Sequence, residues 1–282
     1  MSVLILSASY MVGNHAFAAS APNLGTSSNF AVLAGTTVTN TGLTSVIGDL
    51  GVSSPGVACT GFVGCTTTGL GTVSGTIHVG DATANQAHAD AATAFTNLNT
   101  AACTTNEPAV ADIGGQTLTP GVYCFPSSAA ITGTLTLSGN GVYIFKIVST
   151  LVTAAGPGAS NVVLTNGASA SNVFWAVGSS ATLGTQSVLK GTVIAFTSIT
   201  DTTSATVDGR LLALGGAVTM DTNQVTIVGN GNGNGDGDRG DNGKGDNDKG
   251  KHGTGDDDKG EQHGKGDNDK GNHDKDAKSD KN

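Results

Sequence analysis

Charge is the scarcest feature of this sequence. Asp, Glu, Lys and Arg make up 12% of its 282 residues, about half the share of an ordinary soluble domain. The shortage is sharper before Asn230, where only eight of the 22 acids and three of the 13 bases stand. Those three bases are Lys146, Lys190 and Arg210. So thin a supply cannot build the basic patch that nucleic acid or an anionic lipid surface requires. Aromatic residues are few as well, at 4%, with one Trp. The eight acids (Asp49, Asp81, Asp90, Glu107, Asp112, Asp201, Asp208 and Asp221) are scattered, and most adjoin turns or the helix start. They do not form the clustered carboxylates of general acid–base or glycosidic chemistry. No H-E-x-x-H, G-x-S-x-G or phosphate-loop pattern occurs. No catalytic residue, metal or cofactor is therefore assigned.

The two ends differ from the middle. "MSVLILSASYMVGNHAFAAS" has a short apolar run and an Ala16-Phe17-Ala18 triplet, so residues 1–20 read as an export signal, although no Lys or Arg precedes the run. No other segment is long and apolar enough to span a bilayer. Residues 229–282 hold essentially no apolar side chain and repeat "KGDNDKG", the composition of a flexible, solvated tail. Its Asp runs lack the spacing and closing Glu of an EF-hand, and Arg239-Gly240-Asp241 is a chance tripeptide in so biased a segment. Residues 21–228 remain as one sizeable domain. In an exported chain, four cysteines point to disulfides. Cys59 and Cys65 enclose the short loop "CTGFVGC", while Cys103 and Cys124 would join the end of a helix to the next strand. Three pairings are possible; nearness along the chain favours 59–65 with 103–124, and the spacings fit no zinc motif.

The middle reads as short strands. "NFAVLAG", "GVYIFKIV", "NVFWAVG", "GTVIAF" and "GRLLALGG" are apolar or β-branched runs set between Gly, Asn, Ser and Thr. One segment breaks the pattern: Ala84, Ala87, Ala91, Phe95, Leu98 and Ala102 step by three and four, which predicts a helix with Asp81 at its cap. A mostly alanine stripe lets such a helix lie close to a flat apolar surface, with His88 solvated.

A repeat then organises the C-terminal half. "TLGTQSVLKGTVIA" from Thr182, "TDTTSATVDGRLLA" from Thr200 and "TMDTNQVTIV" from Thr219 align at offsets of 18 and 19 residues. Thr185, Thr203 and Thr222 then coincide, as do Lys190-Gly191 and Asp208-Gly209. A looser copy, "STLVTAAG", adds Thr150 and Thr153 to the series. A period near 18 is one turn of a three-sided β-solenoid. Its coils stack about 4.8 Å apart, so like residues form columns. Ranked threonines give a grid of hydroxyls and methyls, about 4.8 Å across coils and about 6.6 Å along a strand. Both lengths are near repeats of crystalline water, and β-branching holds each side chain in few rotamers. T-x-x-T places its two threonines on opposite sides of a straight strand. Either the pair brackets a corner or bulge, or only one member points outward.

The ordered blocks "LGTSSNFAVLAGTTVTNTGLTSVIGDLGVSSPG", "GTIHVGDATANQAHADAATAF", "GGQTLTPGVYCF", "GTLTLSGNGVYIFKI", "SNVFWAVGSSATLGT", "GTVIAFTSIT" and "ATVDGRLLALGGAVTMD" resemble the microbial ice-binding-protein-like family of the DUF3494 type. The resemblance runs from Leu24 to Val228. It implies a mainly β fold: a right-handed, discontinuous, three-sided β-solenoid with one long α-helix packed alongside. It further implies a secreted, non-enzymatic protein, free or held at the cell surface, whose partner is an ice crystal; a monomer is expected. By matching position the ice-binding face carries over to Thr182, Thr185, Thr200, Thr203, Thr219 and Thr222, with Ala217, and from the N-terminal coil to Thr37 and Thr39. The competing expectation is an adhesion module that binds a glycan or another solid. Glycan sites favour exposed aromatics, and Trp175 within "VFWAV" is better suited to a core.

Overall fold

The computed structural model describes residues 19–228 except 56, 57, 108, 109 and 157. The expected export signal, apart from Ala19 and Ser20, and the tail over 229–282 lie outside the described residues. Most strands are three to five residues long, and each pairs in parallel with the strand three places further along the chain or nearly so. Gly121–Phe125, for example, pairs with Tyr143–Ile147, which pairs with Val173–Val177. A parallel pairing at that interval makes each coil a triangle with three walls. Alternation does the rest: a strand such as Thr134–Ser138 buries Leu135 and Leu137 and turns Thr134, Thr136 and Ser138 outward.

The order of coils is not the order of the chain. The coil that ends in Val218–Asp221 and Gln224–Thr226 pairs with Thr37–Thr41 and Ser45–Ile47 from the N-terminus. On their far side those N-terminal strands pair with Ala58–Phe62 and with Thr72 and Val73. The solenoid is therefore discontinuous, as expected. The chain starts near one end, and helix Ala82–Thr100 carries it back along the outside so that the remaining coils stack toward its own beginning. Both disulfides are present in the favoured pairing, Cys59–Cys65 and Cys103–Cys124, with Cα separations of 5.1 and 5.8 Å.

Inside the triangle, one inward column runs through Tyr123, Phe145, Trp175, Val193 and Leu211 to Val32. Phe145 stacks on Tyr123 at 5.4 Å and on Trp175 at 4.0 Å. Trp175 is fully buried and donates its indole N–H to the Lys190 carbonyl, so it offers no platform to a glycan. The strands Val188–Ala195 and Thr206–Ala213 bend round a corner at Gly191 and Gly209, which lie side by side. A Cβ on Gly209 would sit 1.8 Å from the Gly191 carbonyl oxygen, so only glycine lets the coils close up there.

The helix lies against the first wall. Asp81 caps it by accepting from the Ala84 N–H at 2.8 Å. Ala84, Ala87, Ala91, Ala94 and Leu98 are buried, four of these on Phe30, Leu33, Ile144, Phe174 and their neighbours. Two expected members of the stripe differ. Phe95 stands half-buried at the helix edge near Phe196, leaving the tightest contact to Ala94, and Ala102 lies exposed beyond the C-cap. His88 is half-buried rather than solvated, and its Nε2 donates to the Leu214 carbonyl at 2.6 Å.

Candidate functional site

With the first wall covered by the helix, two walls remain open. The second wall is built in stacking order from Val110–Asp112, Ser128–Ile131, Leu151–Thr153, Ala181–Leu183, Ile199–Asp201, Val218–Asp221, Thr37–Thr41 and Ala58–Phe62. Its register has no slip across these strands, so outward residues form straight columns. The central column reads Asp112, Ala130, Val152, Thr182, Thr200, Thr219, Thr39 and Thr60, and Thr60 in turn pairs with Thr67. Six threonines thus follow one another without interruption. Two residues earlier on each strand, the same register places Ser128, Thr150, Ser180, Ser198, Ala217, Thr37 and Ala58 in line, all small and half-buried.

The second threonine of each T-x-x-T pair has another fate. Thr185 and Thr203 start two-residue turns after the second wall, and Thr222 sits in the corresponding bend. Each pair brackets a corner, which resolves the alternation problem. Hydrogen bonding holds these corner hydroxyls: Thr185 meets Thr202 at 3.3 Å, and Thr203 donates to Asp221 at 2.5 Å. Thr222 does not align with Thr203. It adopts a left-handed conformation (φ 56°) like Ser204 (φ 60°) and Gln186 (φ 63°), and the N–H of Ser204 bonds the carbonyl of Asp221, so Thr222 stacks on Ser204. One residue fewer in this corner than in the preceding coil causes the slip.

The looser copy also shifts. Val152, not Thr150, pairs with Thr182 and occupies the central column. Thr150 belongs to the neighbouring column and donates to Ser128 at 2.9 Å. Thr153 faces inward, 3% exposed, and accepts the Gly184 N–H at 2.7 Å, so it is not a surface residue. In this coil T-x-x-T lies two residues earlier on the strand than in the other copies, so its threonines fall on one neighbouring outward position and one inward position. Thr60, Thr67, Ser128, Ser180 and Ser198 escaped the sequence reading. The signal for the serines was present in the dipeptides Ser127-Ser128, Ser149-Thr150, Ser179-Ser180 and Thr197-Ser198, which open successive strands of this wall.

Charge is confined to the margins of this wall. Its outward strand positions carry Asp112 at one end and Asp221 beside the corner. The Thr203 hydroxyl that donates to Asp221, with the Thr41 hydroxyl nearby and the Thr222 hydroxyl bonded to its other oxygen, holds the carboxyl below the usual carboxylate range. Beneath the wall, Asp201 points into the core between Leu183 and Met220, 1% exposed and with neither oxygen hydrogen-bonded. Burial pushes its carboxyl well above the usual range, toward the neutral acid. Each base of the body is engaged away from the second wall. Lys146 donates to the Ala101 carbonyl at the helix end, Lys190 pairs with Asp208, and Arg210 holds the Ser28 carbonyl at 2.7 Å. Burial lowers the Arg210 guanidinium to about 10.

Among the described residues, no group of three or more His, Cys, Asp or Glu is placed to hold a metal ion, and no helix is long and apolar enough to cross a membrane. The outward strand positions of the second wall carry no His or Cys among the described residues. The arrangement offers an ordered lattice of hydroxyls and methyls.

Known proteins share this architecture. The family described as ice-binding-like matches residues 32–226. An ice-binding protein of Nostoc sp. (strain HG1) is 48% identical over 215 residues, covering 74% of this chain and 75% of that protein. The crystal structure of an ice-binding protein from the Antarctic ascomycete Antarctomyces psychrotrophicus superposes with a TM-score of 0.69 at 42% identity, over 74% of this chain and 100% of the other. An ice-binding protein from an Arctic yeast, whose structure was described as the basis of its antifreeze activity, gives a TM-score of 0.64 at 27% identity, over 74% and 96% of the two chains.

Proposed function

Because the chain belongs to the ice-binding-like family, we propose that it is an ice-binding protein that adsorbs to ice through its second wall. The observation that carries this assignment is the unbroken column Thr182, Thr200, Thr219, Thr39, Thr60 and Thr67. At about 4.8 Å per coil it runs for roughly 24 Å. Beside it, roughly 6.6 Å away along the strands, the column from Ser128 to Ala58 adds more hydroxyls and two alanines. Hydroxyls can anchor water in place, while the methyls restrict its motion. The scaffold is set by backbone pairing on both sides of each strand, so little conformational entropy is lost on docking. Corner residues Thr185, Thr203 and Thr222 support the edge of this surface rather than form its plane.

Adsorption of this kind needs no cofactor and no bond-breaking step, and inhibits growth and recrystallisation by pinning the crystal front. The relatives are ice-binding proteins, which supports a non-enzymatic role for residues 21–228. Two disulfides support an extracellular setting, and a monomer suffices because one wall contains the whole column.

The test is thermal hysteresis and ice-recrystallisation inhibition of Thr200→Tyr beside Thr206→Tyr, the latter on the third wall. Thr200→Tyr is expected to lose most activity while Thr206→Tyr keeps it, with both melting curves unchanged. Equal activity of the two variants would remove the second wall from the assignment.

A further inference from the structure

Asp221 is the charged residue that directly borders the threonine wall at its middle, and its surroundings are specific. Its Oδ2 accepts the Thr203 hydroxyl at 2.5 Å and its Oδ1 the Thr222 hydroxyl at 3.1 Å. Thr41, on the N-terminal strand, stands opposite Asp221 in the parallel register. Its backbone N–H is held by Asn223 Oδ1 at 2.5 Å. Gly42 leaves the space: at φ 78°, a Cβ there would meet Thr222 Oγ1 at 2.2 Å.

A hydroxyl has one proton and two lone pairs, whereas an ionised carboxylate only accepts, with room for about four donors. An Asn offers only one acceptor oxygen, so it cannot take a hydroxyl proton on each side as Asp221 does. We propose that Asp221 is a positioning residue of the ice-binding surface: it fixes the Thr203 and Thr222 hydroxyls with their protons turned inward, so that this edge meets water with lone pairs only. The proposal rests on the ice reading of the second wall. The two donors also shield a charge that would otherwise orient water radially, against the lattice. The Thr203 bond also ties the last C-terminal coil to the one before it.

The carboxyl titrates in isolation. On the strand to one side, Asp201 points into the core; on the other, Thr37–Thr41 has no ionisable residue, nor do the adjoining turns over 42–44 and 202–205. Lys190 and Asp208 pair with each other on the third wall. Because the hydroxyls depress the carboxyl, the network stays ionised at mildly acidic pH and breaks only below the ordinary carboxylate range.

Thermal hysteresis and melting temperature of wild type, Asp221→Asn, Thr203→Val and Thr203→Ser, measured from neutral pH downward, test this. Asp221→Asn is expected to lose about threefold or more in hysteresis at neutral pH with its melting temperature nearly kept, since a charge-assisted bond is replaced by weaker ones. Wild type should fall to the same level once pH drops below the ordinary carboxylate range, while Asp221→Asn stays flat. Thr203→Val should weaken activity, and Thr203→Ser, which keeps the proton, should restore it. Full activity of Asp221→Asn, or a wild-type profile without the acidic fall, overturns the role of Asp221. A wild type that leaves ice untouched overturns the reading of the wall itself. If Asp221→Asn loses its fold, the Thr203 pair decides.

Discussion

The second and third walls of this solenoid are made by the same coils and are both left open by the helix, yet their surfaces differ. Threonine content is not what separates them. The third wall shows Thr72, Thr117, Thr134, Thr136, Thr165, Thr206 and Thr226, a comparable number. Its columns, however, are broken. One reads Thr134, Asn161, Val188, Thr206, Gln224, Ser45 and Thr72; the other reads Thr117, Thr136, Val163, Lys190, Asp208, Thr226 and Ile47. Amides, aliphatics and an ion pair interrupt the hydroxyls at nearly every coil. On the second wall six threonines follow in register. A surface matched to a crystal needs repetition of one group at one spacing, so continuity of the column decides, and composition does not.

The sharpest way to break the contrast is to transplant the ion pair. Thr200→Lys with Thr219→Asp places a Lys and an Asp on adjacent coils of the second wall, as Lys190 and Asp208 stand on the third. Nearly all thermal hysteresis should vanish while circular dichroism stays unchanged, a larger loss than Thr200→Tyr because two sites and their hydration change together.

A second variant separates the wall's surface from what lies under it. Asp201→Leu replaces a buried, unpartnered carboxyl by the residue type found next to it at Leu183. Relief of the unsatisfied group is worth roughly 1–3 kcal/mol, so the melting temperature should rise at neutral pH while ice activity is unchanged. The sign of the pH dependence follows from the raised carboxyl. A group whose folded pKa lies above its unfolded value of about 3.9 contributes fully below that value and is lost as pH climbs through the folded one. Wild type should therefore lose stability with rising pH relative to Asp201→Leu, and denaturation at a series of pH values reads the difference.

The smallest effect is expected on the third wall. Asp208→Asn breaks a partly exposed pair, worth up to about 1 kcal/mol. Urea denaturation should register that small cost, and ice-recrystallisation inhibition should register none. A clear loss of ice activity would mean that both open walls take part.

How much of this was legible beforehand depends on the distance over which each pattern acts. The neighbours Thr182, Thr200 and Thr219 could be read because 18- and 19-residue offsets put like residues side by side in successive coils. The helix and its Asp81 cap followed from local periodicity. Thr39, Thr60 and Thr67 could not be joined to that column by spacing, because Thr219 pairs with Thr39 across 180 residues of chain. Thr153 falls inside because its T-x-x-T sits two residues earlier on the strand than the other copies, a shift that only the strand register reveals. The corner role of Thr203 and Thr222 was likewise hidden, since it depends on where the strand ends.

The sequence by itself determined the strand content, the coil length, the two disulfides and the near absence of charge, since alternation, local repeats and composition act within a few dozen residues. The tertiary structure alone decided which wall the helix would cover, how the N-terminal coils would dock on the C-terminal one, and hence that one threonine column would run unbroken. Those outcomes depend on contacts between segments far apart in the chain, where register is set by the packing of whole coils and not by any residue's neighbours.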